Sequence, residues 1–83
     1  MNPEDPVTAY RIWARIEHSG PSEFVAIATA IPENGDPSLV RVLNESATSR
    51  EIARERARRL VKEMARIVRD NEGRVTNVDM GGI

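Results

Sequence analysis

The sequence predicts an α+β domain: a two-layer arrangement in which an antiparallel sheet carries one long amphipathic helix on one face. Three observations predict it. The first half alternates apolar and polar residues with period two, the signature of strands. A single stretch from Arg50 to Arg69 switches to a helical period and carries seven arginines and one lysine against three acids. Loop-forming clusters separate the segments at short intervals, so neighbouring strands are connected most simply as a meander.

Residues 1–7 are expected to be a flexible lead, because Pro3 and Pro6 prevent regular structure. From Thr8 to Glu17, Tyr10, Ile12, Ala14 and Ile16 fall on one face and Arg11, Trp13, Arg15 and Glu17 on the other. His18 to Pro21 has the composition of a turn. Glu23 to Ile31 is apolar on both faces, with alanines on one and Val25, Ile27 and Ile31 on the other, as in a central strand. Pro32 to Ser38 holds an Asn-Gly pair and two prolines and is the strongest loop signal. Leu39 to Asn44 reads as a third strand.

Thr48 is the expected helix N-cap, with Glu51 completing a capping box. At 100° per residue, Ala53, Ala57, Leu60, Val61, Met64, Ile67 and Val68 share one arc, which faces the sheet. The helix spans about 23 residues and ends near Gly73, placed as a C-cap glycine. Arg74 to Met80 suits a fourth short strand, paired within the subunit or given to a partner subunit. The domain thus occupies residues 8–80, with a frayed end at 81–83.

With 83 residues and no cysteine, the chain has a small core and no disulfide or thiolate-bound metal to reinforce it. Dimerisation adds buried apolar area most readily. The cysteine usage fits a cytoplasmic protein. No apolar run reaches the ~18 residues of a membrane span, and the acidic, proline-containing start does not resemble a signal peptide. The formal net charge of -1 conceals a segregated field: residues 48–71 hold eight basic and four acidic side chains, and residues 1–47 three basic and seven acidic.

That segregation frames two functional readings. One helix covers one sheet face, so Val25, Ile27, Val40 and Val42, with Trp13, are left on or near the other. They form a candidate protein interface, either between copies of the chain or with a second protein. Trp13 has two further readings: an ordinary surface residue with cross-strand contacts, or a base-stacking residue flanked by Arg11 and Arg15. The second functional reading is polyanion binding by Arg54, Arg58, Lys62, Arg66 and Arg69, which form a basic ridge on the helix. Its structural counterpart is a solubilising face, since Glu55, Glu63 and Asp70 are spaced to pair with neighbouring arginines.

Catalytic, cofactor and metal assignments find no support. His18 is an isolated turn residue, and Ser19 lacks the base and oxyanion site a nucleophile requires. No glycine pattern matches a phosphate-binding loop, and no cysteine or histidine spacing matches a metal site.

The order strand, strand, short strand and Thr-Ser-Arg-Glu-led helix, from Tyr10 to about Val68, resembles small antitoxin-like domains of the HicB type. Thr48, Glu51, Ala53 and Ala57 stand in comparable places. The resemblance implies a dimerising sheet-and-helix domain that binds a small toxin. The family's usual Pro-Asp-Leu-Pro-Gly-Cys segment has only a loose counterpart in residues 32–37, residues 70–83 hold no DNA-binding motif, and no binding residue carries over.

Overall fold

The computed structural model describes residues 7–83. The chain runs β1 (Ala9–Gly20), β2 (Glu23–Pro32), a 3₁₀ turn (Pro37–Leu39), β3 (Arg41–Ala47), α1 (Arg50–Asp70) and β4 (Arg74–Gly82). The protein is an α+β domain with one four-stranded sheet, ordered β3-β2-β1-β4. The first three strands form the expected antiparallel meander. β4 pairs within its own subunit and lies parallel to β1, making the sheet mixed. Chain direction explains this. α1 runs back from the end of β3 and delivers the chain beside the start of β1, where the Arg74 amide donates to the Thr8 carbonyl at 2.9 Å.

The hairpin is longer than its composition predicts. His18 is not in a turn: it pairs with Phe24 in the ladder, and the two rings stack at 4.5 Å. That contact carries β1 to Gly20, with a register irregularity between His18 and Gly20. After β2, Gly35 adopts a φ of 78°, which its missing side chain permits. The Asp36 carboxylate then accepts from the Ser38 amide at 3.0 Å and captures Pro37–Leu39 as a 3₁₀ turn. β3 therefore starts later than Leu39 and runs past Asn44 to Ala47.

Helix α1 begins at Ser49, not Thr48. The Ser49 hydroxyl accepts from the Ile52 amide at 3.2 Å, so the Thr48–Glu51 capping box does not form. Six of the seven arc residues are buried: Ala53, Ala57, Leu60, Val61, Met64 and Val68; Ile67 is half-buried. Of these, Ala57, Leu60, Val61, Met64 and Val68 pack on Tyr10, Ile12 and Ala14 of β1 and Ala26, Ala28 and Ala30 of β2. Small β2 side chains leave the space that Leu60 and Met64 fill. A second cluster at the helix start joins Phe24, Ala47 and Ala53.

The helix ends in a Schellman motif. The Glu72 amide donates to the Arg69 carbonyl at 3.0 Å, and the Gly73 amide to the Val68 carbonyl at 2.7 Å. The left-handed residue is Glu72, with φ 62°. Gly73 is required for another reason: a Cβ there would lie 2.7 Å from Val68 Cγ1 and 2.9 Å from Tyr10 Cε1.

The C-terminal end is not frayed at residue 81. Gly82 still pairs with Arg15, and a Cβ on it would lie 2.7 Å from the Ala14 carbonyl oxygen. Ile83 packs against the main core. Of the expected lead at residues 1–7, only Val7 is among the described residues, and it is exposed.

Candidate functional site

Strand alternation puts a second set of side chains on the sheet face opposite α1. The register aligns them in rows across β1, β2 and β3. Trp13 stands beside Thr29, which stands beside Val42; Arg15 beside Ile27, then Asn44; Glu17 beside Val25, then Ser46. Arg11 stands beside Ile31. The residues between them on β1 and β2 are those buried under the helix, which fixes this set on the uncovered side.

Of the sequence-predicted interface residues, Trp13, Val25, Ile27 and Val42 stand in these rows, whereas Val40 precedes β3 and pairs with none of them. Trp13 is 37% exposed, Val42 53% and Val40 41%, and Val25 is half-buried. Ile27 is only 6% exposed, although it belongs to neither core cluster under α1. Its cross-strand neighbours explain that. Long side chains such as Arg15 lay their methylene stems along adjacent apolar surface and keep the charge outermost.

Arg15 has unusual surroundings. Its guanidinium carbon lies 5.0 Å from the Trp13 ring centroid, and its Nη2 is 4.0 Å from Glu17 Oε1. The first distance is within range of a cation–π attraction. Its Nε is buried and has no hydrogen-bond acceptor, and a buried donor left unmatched costs about 1–3 kcal/mol. The charge sequence on this face of β1 is therefore Arg11, Trp13, Arg15, Glu17.

The basic ridge on α1 divides under inspection. Arg66 is ion-paired with Glu63, and with Asp70 at 3.7 Å; the hydrogen bond it donates to Glu63, together with the Glu63 charge, raises the Arg66 pKa. Arg54 Nε donates to the Ile83 carbonyl at 3.3 Å. Arg58, Lys62 and Arg69 form no ion pair among the described residues. A separate cluster joins the helix to β3: Arg59 binds both Glu45 carboxylate oxygens, Arg56 Nε lies 3.8 Å from Glu45, and Arg56 also donates to the Ser46 carbonyl. The hydrogen bond from Arg59 lowers the Glu45 pKa against an opposing desolvation, with the Arg59 and Arg56 charges adding to the lowering.

A cleft of about 390 Å³ opens where the β1–β2 hairpin meets the β3–α1 junction, lined in part by Ser19, Ser46, Thr48 and Arg56. It assembles no nucleophile with a base. The Ser19 hydroxyl donates to Glu23 Oε2 at 3.2 Å, while the His18 ring is stacked on Phe24. Among the described residues, no group of three or more histidine, cysteine, aspartate or glutamate side chains is placed to hold a metal ion. Among the described residues, no helix is long and apolar enough to cross a membrane.

The chain matches no family model, no curated protein and no solved structure. Function must therefore be argued from the geometry. Sequence reasoning located the uncovered face through apolar residues left over once the helix arc was assigned. It missed the Glu45–Arg56–Arg59 cluster, whose signal spans a strand and a helix with no fixed spacing. It also missed the orphaned Arg15 Nε, which depends on how one side chain lies across its neighbours.

Proposed function

We propose that this protein is a non-catalytic assembly domain of the cytoplasm that works as a homodimer, joined through the sheet face that α1 leaves uncovered. The observation carrying this reading is that face itself: Trp13, Val25, Ile31 and Val42 stand on three adjacent strands with no helix over them. Apolar side chains left uncovered on three neighbouring strands are costly to leave in water and suit an interaction site. A second copy suits it because charged and aromatic groups on β1 can satisfy one another across a two-fold axis. Burying the face would also shield Trp13.

The HicB-type resemblance supports the same reading from another direction. It would add a small toxin as a second protein partner.

Trp13 is the chain's one tryptophan, so its fluorescence reports directly on the face. Sedimentation should give twice the mass of the chain, and the emission should shift to the red on dilution as the dimer separates. Trp13→Ser should yield a monomer or an aggregate. A parent chain that stays monomeric at high micromolar concentration with unshifted emission would sink this reading.

The second reading is nucleic-acid binding by the helix ridge, favoured by the unpaired cations Arg58, Lys62 and Arg69. It requires binding of DNA or RNA that falls steeply with salt. A dimer that survives high salt, with no nucleic-acid shift at low salt, leaves the assembly reading alone.

A further inference from the structure

We infer that the second copy docks with its strands antiparallel to the first, about a two-fold axis crossing the row Ala14–Ala28–Leu43, and that Arg11 pairs with Glu17 of the second copy. This rests on the homodimer reading and specifies its register.

Two sheets meeting face to face are related by a two-fold axis lying between them. If the axis runs along the strands and over β1, β1 lies parallel on its copy and can set like on like: Arg11 on Arg11, Arg15 on Arg15, Glu17 on Glu17. Like charges brought together out of water are strongly unfavourable. If the axis runs across the strands, β1 is reversed on its copy. The series Arg11, Trp13, Arg15, Glu17 then meets the second copy's Glu17, Arg15, Trp13, Arg11 in that order. Two contacts become ion pairs, and two place a guanidinium against an indole, a favourable pairing.

The neighbouring strands follow the same symmetry. The register places Ala28 beside Ala14 and Leu43 beside Ala28, so one axis can centre all three strands. On β2, Val25 meets the second copy's Ile31, and Ile27 meets its Thr29. On β3, Val42 meets the second copy's Asn44. No charge faces a like charge in any of these pairs, and β2 supplies the apolar centre.

The distances allow it. Arg11 and Glu17 each lie about 10 Å along β1 from the axis at about 3.3 Å per residue. Sheets packed face to face stand about 10 Å apart with strands crossing within about 30°, which displaces these positions sideways by about 5 Å. Arginine and glutamate side chains span that gap. Within one subunit neither residue has a strong commitment: Glu17 has only the 4.0 Å contact to Arg15, and Arg11 has no ion pair among the described residues.

The test is a charge exchange followed by sedimentation and native mass spectrometry. Arg11→Glu and Glu17→Arg each place two like-charge pairs across the interface, and each should raise the dimer dissociation constant about tenfold or more. Mixing the two variants should yield a heterodimer, because each repulsive pair becomes attractive. The double variant Arg11→Glu/Glu17→Arg should homodimerise as the parent does. Both positions are exposed, and circular dichroism of each variant confirms that the fold is retained. Single variants that dimerise as tightly as the parent, or a mixture that forms no heterodimer, overturn the register while leaving the homodimer intact. A parent chain that is itself monomeric overturns both.

Discussion

The two faces of the sheet solve different problems with the same strands. Under α1, β1 contributes Tyr10, Ile12 and Ala14, and β2 contributes Ala26, Ala28 and Ala30. The alanines carry little conformational entropy and let the helix approach closely, so the larger side chains of α1 supply most of the packing volume. The uncovered face has the opposite character. β2 there carries Val25, Ile27 and Ile31, and β1 carries a tryptophan between two arginines. A face destined for a fixed intramolecular partner is flat and uncharged, whereas this one combines apolar bulk with ordered charge. In the proposed dimer, bulk would make association favourable and charge would decide its orientation.

The comparison breaks most sharply at the cores of the two faces. Met64 is fully buried, and Met64→Ala should cost about 2–5 kcal/mol of folding stability, measured by urea unfolding. Val42→Thr on the uncovered face should leave the folding stability of the subunit within about 0.5 kcal/mol, as surface exchanges do, while weakening the proposed dimer. Equal losses of folding stability at both sites would mean that the uncovered face also belongs to the subunit's own core.

The join between helix and sheet gives the next largest effect. Gly73→Ala forces a methyl group against Val68 and Tyr10 on the covered side, and overpacking of this kind should cost about 1–3 kcal/mol. Glu72→Gly should act oppositely. It relieves a side chain held in the left-handed region, where a non-glycine residue is disfavoured by about 1–2 kcal/mol, and should raise the melting temperature. Neither exchange should change dimer affinity, because both lie on the helix side. A shift in the dimer constant for either variant would show that the two faces are coupled through β1.

The covered face was legible in the sequence because period sets it. The helix arc and the alternation in β1 and β2 follow from covalent geometry, and six of seven arc residues occupy the core. What could not be read depends on partners distant in the chain. Thr48 and Ser49 carry the same hydroxyl chemistry, and the choice of cap follows from where β3 ends. Glu72 takes the left-handed position because Gly73 is needed one residue later, where Tyr10 and Val68 leave no room for a Cβ. The direction of β4 follows from the path of α1 across the sheet. For the uncovered face, residue types were visible from the start, but their alignment into rows required the register. Without it, Arg11 and Glu17 are merely two charges on one strand.

The smallest expected effect lies at the margin of the covered face, where Glu45 receives Arg59 and Arg56 from the helix. Its pKa is lowered, chiefly by the Arg59 hydrogen bond. A carboxylate with a depressed folded-state pKa stabilises the fold at pH values above its unfolded pKa. That contribution is lost as the pH falls from the ordinary glutamate range through the lowered folded value. Glu45→Gln removes the titrating group, so the variant's stability should fall less steeply than the parent's across that acidic window. At neutral pH the two should differ little, since the pair is partly exposed and such ion pairs are screened. Urea midpoints taken from neutral to acidic pH measure both statements. Identical acid slopes would show that the Glu45–Arg59 contact does not persist in solution, and that helix and sheet are held on this side by Leu43, Ala47 and the apolar arc alone.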